Sequence, residues 1–230
     1  MTPTSLLQVG GLAPLSTVDW PGELAAVVFA QGCPWNCTYC HNPHLLPAGE
    51  GCVPWADVIA FLQTRVNLLD GVVFSGGEPT VQAALGDAMR EVRALGFKIG
   101  LHTGGPHPRR FAEVLPLVDW VGFDVKAPFA DYEGITGVAG SGERALASLR
   151  ALVESGVDFE VRTTVHPDLL GEEDLERLSI ELAEEGVARW AVQAYRPDGA
   201  RVGLRNTRLY ESGVPASVRA RFTEFVFRAG

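Results

Sequence analysis

The chain carries no lysine or arginine before Arg65, and only two lysines, Lys98 and Lys126, in all 230 residues. It has just four cysteines and no apolar run of membrane-spanning length; the stretch Leu24 to Ala30 suits a buried strand. A start without basic residues lacks the n-region of a signal peptide. A formal net charge of −9 gains nothing from counterion release, which argues against nucleic acid as a partner. These absences predict a protein of the reducing cytoplasm that contacts neither membrane nor nucleic acid. Clustered cysteines in that compartment are more often metal ligands or catalysts than disulfides.

Hydrophobic residues make up 47% and charged residues 20%, ordinary values for a globular protein with room for a sizeable core. The charge is uneven. Arg196 to Arg228 holds seven arginines against three acids. A solvated surface is the plainer reading of that end, and a docking or anion-facing surface the sharper one.

One joint recurs. Helical patterns run into Ala94-Leu95-Gly96-Phe97, Glu154-Ser155-Gly156-Val157 and Glu184-Glu185-Gly186-Val187. Each glycine sits where a helix needs a left-handed cap, and an apolar run follows. Reading outward predicts six strands: Leu24–Gln31, Gly71–Phe74, Phe97–Leu101, Trp120–Val125, Phe159–Val165 and Arg189–Ala194. Amphipathic stretches lie between them, at Trp55–Val66, Val81–Leu95, Arg109–Leu117, Glu143–Glu154 and Glu172–Glu184; a last one, Ala216–Phe227, closes the chain. Such alternation argues for an α/β fold with a parallel sheet. Six units are too few for a closed eight-stranded barrel, so the expectation is a partial, open (β/α)6 barrel.

The cysteines Cys33, Cys37 and Cys40 are spaced C-x3-C-x2-C, and Cys52 follows twelve residues later. Four readings compete. A structural zinc site completed by Cys52, His41 or His44 is one, although paired C-x2-C knuckles are the usual form. A thioredoxin-type pair, Cys37 and Cys40, is the second, with no use for Cys33. A four-thiolate ferredoxin cluster is the third, although its run ends in Cys-Pro. The fourth is a [4Fe-4S] cluster on three thiolates, whose open iron chelates a ligand much as a catalytic zinc keeps an open position.

The triplet, with Tyr39 before its last cysteine, resembles the signature of the radical S-adenosylmethionine superfamily. Ser16-Thr17-Val18-Asp19-Trp20-Pro21-Gly22, Val28-Phe29-Ala30-Gln31-Gly32-Cys33 and Tyr39-Cys40-His41-Asn42-Pro43 are similar to the activating enzymes of glycyl radical enzymes. The resemblance runs from about Ser16 to about Pro197. It implies one domain over residues 1–230, with its core at about 16–197 and a helical extension at about 198–230. It implies the partial (β/α)6 barrel, a cluster on Cys33, Cys37 and Cys40, and S-adenosylmethionine bound to the open iron. It implies reductive cleavage to a 5′-deoxyadenosyl radical that takes a hydrogen from a glycine of a partner. The partner expected is a glycyl radical enzyme, anaerobic ribonucleotide reductase first, with a flavodoxin- or ferredoxin-type electron donor.

The other strand ends carry further candidates. Ser75-Gly76-Gly77-Glu78-Pro79-Thr80 reads plainly as a tight turn into a helix. It also resembles the family's Gly-Gly-Glu-Pro motif, in which backbone carbonyls and the glutamate receive the methionine ammonium. Two glycines let the main chain approach a ligand closely. His102-Thr103-Gly104-Gly105 stands where the family has an acid followed by Thr-Asn-Gly; Thr103 is a cofactor contact on this reading and His102 a weaker one. Asp124 and Lys126 share a strand face. The plainer reading is a salt-bridged strand end. A compact ammonium in an arginine-rich chain suits a crowded carboxylate site, and the resemblance places Lys126 near the methionine carboxylate. Arg162 needs a partner within its strand, which is Glu160 on the plain reading and the cofactor on the sharp one. Gln193, on the sixth strand, is read either as a buried, satisfied amide or as a contact to adenine or the glycine loop. All these candidates fall at the C-terminal ends of strands, where barrel enzymes keep their chemistry. Cys52 is read as a structural or surface thiol. The rivals are a radical enzyme on a small molecule, of the kind of 7-carboxy-7-deazaguanine synthase, and a non-catalytic iron–sulfur or zinc module.

Overall fold

The computed structural model describes residues 6–197, 199–201 and 214–228. Among the described residues eight strands form one sheet in chain order: β1 Val9–Ser16, β2 Ala25–Ala30, β3 Gly71–Gly76, β4 Lys98–Thr103, β5 Trp120–Asp124, β6 Asp158–Val165, β7 Arg189–Ala194 and β8 Glu224–Arg228. β2 to β8 run parallel, and β1 pairs antiparallel with β2 and meets Val53 in a single bridge at Val9; among the described residues β1 and β8 do not pair with each other, so the sheet does not close. Among the described residues seven α-helices connect and flank the strands: α1 Trp55–Gln63, α2 Leu85–Ala94, α3 Pro108–Val114, α4 Tyr132–Thr136, α5 Ser141–Ser155, α6 Glu172–Glu184 and α7 Ala216–Arg219. The six expected strands are β2 to β7, and the fold is the expected α/β, parallel-dominated open barrel.

Two strands lie outside the sequence reading. β1 contains two glycines and Pro14, which hide a strand pattern but suit an edge, where one row of donors has no ladder to join. The closing stretch, expected to be helical, is a four-residue helix followed by β8. Its helical periodicity loses to sheet pairing: Phe225 meets Trp190 edge-on at 5.7 Å, and Arg228 pairs in register with Gln193. Much of the predicted 198–230 extension lies outside the described residues, Arg205 and Arg208 of the basic end included. Among the described arginines, Arg221 pairs with Glu176 and Arg228 turns inward, so this end is not one open basic patch.

Alternation along the strands separates two cores. Val28, Val72, Phe74, Leu101, Val121 and Val161 face the helices, and a small second core of Trp20, Ala25, Val27, Val73 and Trp120 fills the concave side. Trp20 comes from the β1–β2 loop and stacks on Trp120 at 5.6 Å. A Cβ on Gly100 would lie 2.9 Å from the Trp20 ring, and one on Gly71 would lie equally close. One indole thus touches β3, β4 and β5, and the sheet curls around it. Among the described residues no helix is long and apolar enough to cross a membrane.

Candidate active site

The three thiols sit in the loop after β2, at the C-terminal ends of the strands. Backbone bonds hold that loop on both sides: Cys33 N donates to Leu46 O at 3.1 Å, Asn36 N to Thr136 O at 2.9 Å, and Thr38 N to Ile135 O at 3.1 Å. From beyond β7, Arg201 N donates to Cys40 O at 2.8 Å, the Arg201 guanidinium donates to Asn36, and His41 Nε2 lies 2.9 Å from Arg196 O. The short α4 and the segment after β7 therefore clamp the cysteine loop, and neither role has a local sequence signal.

Cys33, Cys37 and Cys40 line one cavity of about 160 Å³ together with Tyr39, Gly76, Gly77 and Glu78. From β4, β5 and β6 the same cavity receives Thr103, Asp124, Lys126 and Arg162. Every candidate from these strand ends meets there. Gly76 has φ +120°, and a Cβ on Gly77 would lie 2.4 Å from Gly32 O, so the paired glycines let the turn after β3 press against the cysteine loop. Cys52 is exposed, beside Gly10 O at 3.1 Å, and does not line this cavity.

Glu78 is buried and fully used. Its Oε1 accepts from Thr80 N at 3.0 Å, Thr80 Oγ1 at 2.6 Å and Thr103 Oγ1 at 2.8 Å, and its Oε2 accepts from Gly104 N at 3.1 Å. Burial raises its pKa, and these four donors pull it back. The carboxylate ties the end of β3 to the end of β4, and the Thr103 hydroxyl is committed to it.

Lys126 Nζ lies 3.5 Å from Asp124 Oδ2. Burial works against the ammonium, but the acidic groups of Tyr39, Asp124 and Cys37 hold its pKa well above the usual lysine value, so it is charged at neutral pH. Burial and the Glu78 charge push the Cys33 thiol up to about 12, and burial also raises Cys37. As free thiols both are protonated at pH 7, and they become ligands only where a metal's charge displaces the proton. Among the described residues no three His, Cys, Asp or Glu side chains converge to hold a single ion. Cys33, Cys37 and Cys40 put three thiols on one cavity, the donor type that iron–sulfur clusters use. Trp35, on the same wall, carries the only buried side-chain polar atom without a partner among the described residues, its Nε1.

Arg162 shows the plain reading realised. Its Nε donates to Glu160 Oε1 at 3.0 Å, its Nη2 to Asp19 O at 2.9 Å, and its Nη1 lies 2.9 Å from His102 Nε2. The sequence reading missed Arg228, which donates to Glu160 Oε2 at 2.9 Å and to Gln193 Oε1 at 3.2 Å; a strand reading of residues 224–228 in place of the helical one is the signal that could have found it. The Gln193 carbonyl is thereby used, while the residue is half-buried on the wall of a second cavity. Burial and the Arg162 charge lower the His102 pKa well below 6.5, so His102 is neutral in the folded protein. Below pH 6.5 the unfolded chain binds a proton that the folded state refuses, and stability falls with falling pH. Denaturation between pH 7 and pH 5 should show this slope, and His102→Gln should flatten it; equal slopes in the two proteins would refute the assignment.

A second cavity, of about 690 Å³, adjoins the first through the shared residues His41, Arg162 and Thr164 and reaches Val18, Gln193 and Arg196 on the open side of the barrel.

The family model for the radical S-adenosylmethionine superfamily matches residues 27–179. The chain is 30% identical over 199 residues to a Methanocaldococcus jannaschii protein provisionally named a glycyl-radical enzyme activating enzyme, across 84% of this chain and 81% of that one. It is 30% identical over 169 residues to the pyruvate formate-lyase-activating enzyme of Clostridium pasteurianum, across 70% of each. In fold it is similar to the crystal structure of Streptococcus suis SuiB bound to precursor peptide SuiA, with a TM-score of 0.69 at 16% identity over 89% of this chain; it spans about half, 48%, of that one. Matched along most of its length by the family model and by these relatives, the chain belongs to the radical S-adenosylmethionine superfamily, whose enzymes work with a [4Fe-4S] cluster and S-adenosylmethionine, and within it to the glycyl-radical enzyme activating enzymes.

Proposed function

We propose that Cys33, Cys37 and Cys40 hold the cluster, that the Gly76–Gly77 backbone and Lys126 receive the amino and carboxylate groups of S-adenosylmethionine, and that the target is a glycine of anaerobic ribonucleotide reductase. One observation carries this reading: three thiols, a glycine-paired turn and a charged lysine, from separate strand ends, line one cavity. When bound, the cluster and S-adenosylmethionine supply one electron and a 5′-deoxyadenosyl radical able to take the glycine hydrogen. The chain's own residues position and shield. The Lys126 ammonium, held beside Asp124, offers a fixed positive charge to a carboxylate. Glu78 acts as a strut, with Asp124 and Thr103 on the cavity wall. Arg162 is anchored by Glu160 at the boundary with the larger cavity. Burial of Tyr39 and Trp35 keeps water from the thiols.

The larger cavity opens at the side of the barrel, which suits a partner's loop better than a small molecule enclosed on all sides. A reducing cytoplasm and a flavodoxin- or ferredoxin-type donor complete the proposal. The test is the glycyl radical signal in electron paramagnetic resonance. The reduced, reconstituted protein with S-adenosylmethionine should raise it on anaerobic ribonucleotide reductase. A signal on pyruvate formate-lyase alone would reassign the partner. Cofactor cleavage with no signal on either would favour a small-molecule substrate.

A further inference from the structure

Trp35 lies between Cys33 and Cys37, and the reading above uses only its burial. Its side chain is only 3% exposed, yet it lines the cavity of the three thiols. A Cβ built on Gly104 would lie 2.3 Å from Trp35 Cζ3 and 3.0 Å from Cη2. The indole thus takes the place that any side chain at position 104, at the end of β4, would need. Its ring also faces Lys126: the Nζ lies 5.8 Å from the Trp35 centroid and 5.8 Å from the Tyr39 centroid, an ammonium between two π-faces. Tyr132 meets Trp35 edge-on at 5.9 Å, and its hydroxyl accepts from Lys126 N at 3.0 Å. The indole N–H has no acceptor among the described residues, so Trp35 contributes ring size and a π-face rather than a hydrogen bond.

We propose that Trp35 is a positioning residue: seated on Gly104, its ring sets the spacing between the cysteine loop and the end of β4 and holds the Lys126 ammonium against Tyr39 for the cofactor carboxylate. The inference rests on the reading that Lys126 receives that carboxylate. Gly104 and Trp35 are then a matched pair, and enlarging one is tolerated only when the other shrinks.

The test uses the anaerobically reconstituted full chain, with iron content, thermal melting and S-adenosylmethionine affinity measured for each variant. Affinity is read from the change the cofactor makes in the resonance spectrum of the reduced cluster. Trp35→Ala should keep about four irons per chain and weaken cofactor binding about three- to thirtyfold. Trp35→Phe keeps the ring and should stay within about threefold of the unaltered protein. Gly104→Ala should weaken binding while Trp35 is present and add nothing to Trp35→Ala, a non-additive cycle. Should Trp35→Ala fail to load iron, Trp35→Phe and Gly104→Ala still decide. Unaltered affinity in Trp35→Ala, equal losses in the Phe and Ala variants, or an additive cycle would each overturn the inference. If the unaltered protein binds no S-adenosylmethionine, the functional reading falls and this inference with it; if it binds and the variants match it, only the inference falls.

Discussion

Cys33→Ala, Cys37→Ala and Cys40→Ala are each expected to lower S-adenosylmethionine cleavage by more than about a hundredfold, whereas Cys52→Ala retains it. The measurement is 5′-deoxyadenosine formed by the reduced, reconstituted protein. The reason is geometric: the three thiols share one cavity, while Cys52 is exposed beside Gly10. The cysteine loop is also pinned by backbone bonds to Leu46, Thr136 and Ile135, so a neighbouring group cannot swing in to replace a lost ligand. Equal loss in all four variants would place Cys52 at the site and revive a four-ligand centre. Cleavage surviving in any one of the three would remove that thiol from the ligand set.

The second large effect concerns stability. Glu160→Ala should cost about 3–5 kcal/mol and lower the Tm by roughly 6–20 °C, because it strands two guanidiniums at once. The Glu160 carboxylate, with its side chain only 11% exposed, lies 3.0 Å from Arg162 and 2.9 Å from Arg228. Among the described residues Arg162 then keeps hydrogen bonds to Asp19 O and His102 and its place over the Trp120 ring at 5.0 Å, and Arg228 keeps a hydrogen bond to Gln193. Arg228→Ala should cost much less, since Glu160 retains Arg162 and the Arg228 side chain is already 30% exposed. Chemical denaturation of both variants measures the contrast. A loss below about 1 kcal/mol for Glu160→Ala would mean that water entering from the open side replaces the carboxylate.

Both predictions depend on contacts of very different sequence range, and that range governs what could be read beforehand. The strands β2 to β7 fall within a few residues of the ranges expected from apolar runs and glycine caps. Those signals are local, and they are read from one stretch at a time. Most candidate residues were legible for the same reason: they stand in short motifs at or just past strand ends, whereas Arg162 lies inside β6. β1 escaped because Gly10, Gly11 and Pro14 mask its pattern, and β8 because residues 216–227 also fit a helical period. The pairing of Arg228 with Glu160 joins residues 68 apart, and the bond from Arg162 to Asp19 O joins residues 143 apart.

By itself the sequence determined the order of β2 to β7 and of the longer helices between them, the open parallel sheet, and which residues carry thiol, ammonium and glycine chemistry. These follow from periodicity and motif, properties of neighbouring residues. Only the tertiary structure decided how each polar group is used: Glu78 as a strut to Thr103 and Gly104, Arg162 bound to Glu160, and Trp35 filling the space above Gly104. A buried donor or acceptor must be satisfied by whatever the fold brings within about 3 Å, and that is set by packing between distant segments.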